Sequence, residues 1–144
     1  MAGKGNFNAI NFLKLLFQAV TWASLGTNAS GPYTNLYVSL HTADPGAGGG
    51  QNTSETSYTG YSRVAVVRTS SGWSISGETI SNVAAVTFGQ DSDPGSVVLT
   101  YFGIGTDSSG AGNLLYSGAL TSSLTVSQNI TPSFAIGALT VTEA

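Results

Sequence analysis

The chain has 144 residues, 41% hydrophobic but only 8% charged, with a formal net charge of −3 at pH 7. That length suffices for one domain with a real core, while the charged share lies far below the usual ~25%. With only Lys4, Lys14, Arg63 and Arg68 positive, the sequence lacks the clustered cations that a nucleic-acid backbone or an anionic membrane surface needs. The absence of cysteine excludes disulfides, thiolate nucleophiles and cysteine-based zinc sites. Polarity is carried instead by Ser, Thr, Asn and Gly. Such a surface is cheap to desolvate against another protein, and it is equally that of a secreted-type β protein.

Residues 1–7 read as an N-terminal arm. They do not lead into a signal peptide, because Lys14 interrupts the only apolar run and Asn6, Asn8 and Asn11 dilute it. No stretch approaches the ~20 apolar residues of a membrane span. Residues 8–26 form the one helix candidate. Ile10, Leu13, Phe17 and Val20 recur at helical spacing, and Phe12, Leu16 and Ala23 widen the stripe. Asn8 suits the N-cap, and Gly26 stands where helices often stop. A face this broad packs either on the body of its own domain, the favoured reading, or on a neighbouring subunit.

After a small-residue linker from Thr27 to Pro32, the sequence reads as β throughout. Leu36, Val38 and Leu40 alternate with Tyr37, Ser39 and His41, the period-2 mark of a half-buried strand. Residues 43–57 are predicted to be one long, mobile, glycine-rich loop. Val64–Val67 is a continuous apolar run, predicted to be buried on both faces. Further strands are expected at Trp73–Ser76, Val83–Phe88, Val97–Ile104, Leu114–Tyr116, Leu120–Val126 and Phe134–Val141. Turn signals such as Asp93-Pro94-Gly95 and Ser109-Gly110-Ala111-Gly112 separate them. Many short strands at this spacing predict a mainly β fold, an antiparallel β-sandwich or Greek-key barrel over residues 33–144, with the one N-terminal helix.

Most of the possible chemistry falls between Leu36 and Arg68. His41 is the single histidine, and Asp44 and Glu55 follow it. A catalytic imidazole needs a nucleophile and an orienting carboxylate, but no Gly-x-Ser-x-Gly elbow is present. One histidine cannot build a histidine-based metal site. The competing reading is a strand-end His bonded to a loop carbonyl or a carboxylate. Asp44-Pro45-Gly46 is a turn with a mechanism: Asp accepts from amides ahead, Pro fixes φ and Gly tolerates positive φ. Asp44 with Glu55, or Asp91 with Asp93, forms a weak calcium candidate without the loop pattern that calcium sites use. One of Arg63 and Arg68 is expected to pair with Glu55 or Asp44, and the other to meet a partner. The glycine tracts fit no nucleotide-binding loop, and no cofactor is expected. Tyr33, Tyr37, Tyr58, Tyr61, Tyr101 and Tyr116 suit a glycan groove or a subunit interface. Trp73 suits core or interface packing.

Several blocks together resemble a family of small tailed-bacteriophage virion proteins. They are Leu36 to Gly46, Tyr61 to Val66 with Trp73, Phe102 to Thr106, Gly112 to Leu120, Ile130-Thr131-Pro132 and Gly137 to Val141. The resemblance covers residues 8 to 142. It implies a non-enzymatic virion role of the kind labelled tail-fibre-like. It is similar also to head decoration proteins, which sit as trimers on the shell and clamp capsid subunits. The sequence-based expectation is therefore a homotrimeric decoration protein on the outer head surface, bound to the major capsid protein, without nucleic acid or membrane as partner. Residues 1–8 would anchor it. The alternative is a tail-fibre or receptor-binding module, and the remote ones are a small hydrolase using His41 with Asp44 or a glycan-binding module. Phe12, Leu16, Tyr37, His41, Asp44, Arg63, Arg68 and Trp73 are the candidate interface or structural-corner residues.

Overall fold

The computed structural model describes residues 3–8, 22, 33–76 and 79–142. Ten strands follow in chain order: β1 Gly3–Lys4, β2 Asn35–His41, β3 Val64–Val67, β4 Trp73–Ser76, β5 Thr79–Asn82, β6 Val86–Thr87, β7 Ser96–Gly105, β8 Leu114–Ser127, β9 Ser133–Phe134 and β10 Thr140–Thr142. They form an antiparallel five-stranded sheet ordered β1-β8-β7-β2-β3, a three-stranded sheet ordered β10-β5-β4, and a two-stranded ladder of β6 and β9. The expected β-sandwich architecture is thus present. Of the helix expected over 8–26, only the helical turn Asn6–Asn8 overlaps the described residues; the rest, apart from Trp22, lies outside them.

The alternation in β2 places the sandwich core. Val38 pairs with Ile104 and Leu40 with Phe102, so four apolar side chains share one face. They pack with Leu99 and Val126 of the same sheet, Trp73 and Val141 of the second sheet, and Val86 and Phe88 beside the small ladder. Val38, Leu99 and Val126 have no exposed surface. Ring contacts continue the core from Tyr61 through Phe88 and Phe134 to Phe102, with centroids 6.1–6.2 Å apart. On the other face, Tyr37 stands opposite Gly105, Ser39 opposite Gly103 and His41 opposite Tyr101.

Five expectations need correction. The strand expected over Phe134–Val141 is two, β9 and β10, which belong to different sheets and are separated by a turn. The run Val64–Val67 is not buried on both faces: β3 lies at a sheet edge, with Ala65 exposed and Val67 41% exposed. Val83–Phe88 is a strand only at Val86–Thr87, and Thr79–Asn82, rich in polar residues, forms a strand that its composition hides. The two short strands expected between Leu114 and Val126 are one, β8, because β7 pairs along it as far as Ser127 with a register shift between Leu99 and Tyr101. Residues 43–57 are not a free loop. Thr42 N donates to Ser54 O, Thr56 N to Leu40 O and Gln51 N to Ala111 O, and Gln51 is completely buried.

The first residues join the sheet. Gly3 pairs with Ser117 and Lys4 with Tyr116, Gly5 N donates to Leu115 O at 2.9 Å, and Asn6 N donates to Ala47 O at 2.6 Å. Gly5 is required there: a β-carbon would lie 2.3 Å from Leu114 O.

Candidate functional site

The end of β2 organises the charged corner. After the loop, Glu55 returns as an isolated antiparallel bridge to His41, which brings its carboxylate over Tyr61 and Arg63. Glu55 Oε1 accepts from Arg63 Nε and from Tyr61 OH, each at 2.7 Å. Glu55 Oε2 accepts from Arg63 Nη2, also at 2.7 Å. Arg63 Nη1 also donates to Asp107 O at 2.8 Å, and Nη2 to Gly110 O at 2.6 Å. Tyr61 OH in turn accepts from Leu40 N at 3.2 Å. The Arg63 side chain is 2% exposed and that of Glu55 14%. One guanidinium therefore ties the segment carrying Glu55 to the β7–β8 connection, in the planar fork geometry that suits arginine.

His41 lies behind this pair with no exposed surface. Its Nδ1 is 2.8 Å from Thr53 O and its Nε2 2.8 Å from Ser39 Oγ. A carbonyl only accepts, so the proton sits on Nδ1, and Nε2 accepts from the serine hydroxyl. Burial holds the His41 pKa below its ordinary 6.5, against the opposing pull of the Thr53 hydrogen bond and the Glu55 charge. A serine on a histidine has the form of a nucleophile and its base, but Ser39 and His41 are both sealed from solvent. The orienting position is filled by a carbonyl rather than a carboxylate. Asp44 is exposed and accepts from Gly46 N at 2.9 Å, closing the turn expected of it.

Two glycines make room for this second layer. A β-carbon at Gly103 would lie 2.6 Å from Ser39 Oγ and 2.7 Å from His41 Nε2, and one at Gly105 would lie 2.1 Å from Gln51 Cδ. Gln51 Oε1 accepts from Asp107 N at 2.9 Å. Thr106 Oγ1 donates to Asp107 Oδ2. The result is a polar layer stitched to the uncharged face of the large sheet.

The other candidate residues fall elsewhere. Arg68 is half-buried past the end of β3, and its Nη1 donates to Tyr33 O at 3.2 Å. Tyr37 is half-buried in β2, and Trp73 is a core residue at the start of β4. Phe12 and Leu16 lie outside the described residues. The six tyrosines are all buried or half-buried, and Tyr58 OH donates to Gly89 O at 2.9 Å. Asp91 is 1% exposed; its Oδ1 accepts from Asp93 N at 2.7 Å, and Asp93 Oδ2 accepts from Thr59 N at 2.8 Å. The carboxylates thus serve as turn acceptors, and no group of three or more metal-ligating side chains occurs among the described residues.

Sequence reasoning missed two buried amides. Gln51 sits in a polar loop with no pattern to mark it. Asn82, 2% exposed, donates from Nδ2 to Ala84 O at 2.8 Å and Ala135 O at 2.9 Å, while its Oδ1 accepts from Leu139 N at 2.9 Å. Nothing in the sequence around either residue announces its long-range bonds.

A sandwich whose histidine and ion pair are locked inside, with few charges on its described exterior, defines a mainly β protein built around structural polar contacts. A family model described as podophage GP4 fiber I protein gp80 matches residues 11–142. The chain belongs to this family, which makes it a tailed-phage virion protein of the fibre-like kind. No curated protein matches the chain.

Proposed function

We propose that this protein is a non-enzymatic subunit of the fibre apparatus of the phage particle, working as several copies of itself. The observation that carries this reading is the family match over residues 11–142. Two features of the fold support it. The Ser39–His41 pair has no route to a substrate, because both residues are buried. The exposed apolar side chains Ile75, at 75%, and Ile136, at 72%, lie on a surface with few charges, which costs little to bury against other subunits.

The head-decoration role, the trimer and contact with the major capsid protein are finer readings. The same uncharged surface suits seating on a capsid, but the family description favours a fibre. Nucleic acid remains an unsuitable partner, since Arg63, one of four basic residues, is consumed in the core.

Gold-labelled antibody against the protein, applied to intact virions, tests the location. Label at the tail fibres is expected. Label spread over the head surface would sink the fibre reading and establish decoration. Light scattering of the purified chain is expected to give a mass three times that of the monomer. Turnover of ester or glycoside substrates that depends on His41 would overturn the non-enzymatic assignment.

A further inference from the structure

Three hollows adjoin one another around the corner that Arg63 ties together. The first, of about 300 Å³, shares Glu55, Thr56, Ser57 and Tyr58 with the second, of about 370 Å³. The second shares Ser108 with the third, of about 180 Å³. One pattern recurs in all three. Tyr58 accompanies Asp91 and Asp93 in the first, Tyr61 accompanies Glu55 in the second, and Tyr33 and Tyr37 accompany Asp107 in the third. Serine and threonine fill out the walls. Four of the six tyrosines are gathered here, in a chain with only seven acids, four of which line the same hollows. Turn chemistry accounts for the bonds these carboxylates make, but not for the aromatic ring beside them in every hollow.

We propose that the hollows bind a neutral oligosaccharide, one sugar ring to each. A sugar presents hydroxyls that both donate and accept, around a ring whose C–H face packs on an aromatic side chain. The walls complement both. Asp91 is 1% exposed, yet among the described residues its carboxylate takes a single hydrogen bond, from Asp93 N to Oδ1. Its Oδ2 keeps its capacity to accept. Asp107 is placed alike, with Oδ2 accepting from Thr106 Oγ1 and Oδ1 open. Thr56, on the wall common to the first two hollows, is 5% exposed, and its buried Oγ1 has no hydrogen-bond partner. A buried polar group without a partner calls for an explanation, and a ligand hydroxyl supplies one.

The same walls select against anions. Among the described residues Arg63 is the one cation lining the hollows. Its side chain is 2% exposed, and it already donates to both oxygens of Glu55, to Asp107 O and to Gly110 O. An acidic sugar or a phosphate would therefore meet carboxylates with no free positive charge to offset them, and like charges brought together in this way are costly. A site of this kind would serve a fibre subunit and a shell subunit alike, so its failure would leave the fibre reading where it stands.

The test titrates the linear trimers of glucose, galactose, mannose and N-acetylglucosamine into the isotope-labelled full chain, with trigalacturonate as the acidic counterpart. At least one neutral trimer is expected to shift the amide signals of Thr56, Ser57 and Ser108, and trigalacturonate to shift none of them. Ser57 and Ser108 are exposed on the shared walls. Ser57→Leu and Ser108→Leu are each expected to weaken the binding by about tenfold, with amide spectra that stay native outside the hollows. Ser122→Leu, at an exposed position of β8 that lines none of the hollows, is expected to leave it unchanged. Failure of every neutral trimer to bind the native chain would overturn the proposal. So would equal binding of trigalacturonate, or an affinity that survives both wall substitutions.

Discussion

Arg63 and Glu55 meet through two parallel hydrogen bonds of 2.7 Å, with the arginine side chain only 2% exposed. Desolvating both charges offsets much of their attraction, so the pair adds little net stability over a well-packed apolar pair. Its value lies in position: the guanidinium also binds Asp107 O and Gly110 O, which fixes the β7–β8 connection over the end of β2.

Breaking the pair from one side is therefore costly. Glu55→Ala strands a buried guanidinium and is expected to lower unfolding stability by about 3–5 kcal/mol in urea titration. Arg63→Lys is expected to recover only part of the loss of Arg63→Ala, since an ammonium cannot make the two-pronged contact. Equal stability of the Lys variant and the native chain would contradict this geometry.

His41 gives a pH dependence of known sign. Burial lowers its pKa in the folded protein below the 6.5 of the free side chain. Below pH 6.5 the unfolded chain then binds more protons than the folded one, so stability is full above that pH and falls as the solution is acidified toward the folded-state pKa. The urea midpoint is expected to drop between pH 7 and pH 5 in the native chain. It should drop less in His41→Gln, measured under the same conditions. Identical pH profiles would show that His41 does not contribute.

Gly103 is a packing requirement rather than a turn residue. Gly103→Ala drives a methyl group against Ser39 Oγ and His41 Nε2 and is expected to cost about 1–3 kcal/mol. Ser39→Gly in the same chain removes one of the two clashes and should restore part of that loss. A Gly103→Ala protein with native thermal stability would refute the close approach.

Asn82 holds three backbone groups by itself. Asn82→Leu keeps the volume but leaves Ala84 O, Ala135 O and Leu139 N without their partner, at about 1–3 kcal/mol for each group left unsatisfied. Thermal denaturation should show one of the largest losses among single substitutions. By contrast, Ile136→Ser, at a side chain 72% exposed, is expected to stay within about 0.5 kcal/mol of the native chain.

Alternation made β2 legible, and the apolar run from Val97 made β7 legible, because both strands bury one face in the sandwich core. The turn at Asp44 was equally readable, since its mechanism is local. The pairing of Glu55 with Arg63 was legible only as one of several options. The rest was hidden for a common reason. The seating of Gln51, the bonds of Asn82 to Ala135 O and Leu139 N and the pairing of Gly3 with Ser117 are settled by residues distant in sequence, and uncharged polar side chains leave no periodic mark. The loop 43–57 misled because its glycines suggest freedom, whereas Gly49 and Gly50 allow close approaches to Pro45 O and Ala111 O.

The strand pairing has a consequence in time. β1 lies against β8, and β5 waits for β10, whose Thr142 meets Thr79. The five-stranded sheet cannot close until β8, nor the three-stranded sheet until β10, has left the ribosome, and contacts of such long sequence separation form slowly. Until then, β5 and β7 each present an open edge to every neighbouring nascent copy. The rate at which this protein is made, relative to the rate at which it folds, should therefore govern how much of it reaches the particle and how much is lost to aggregation.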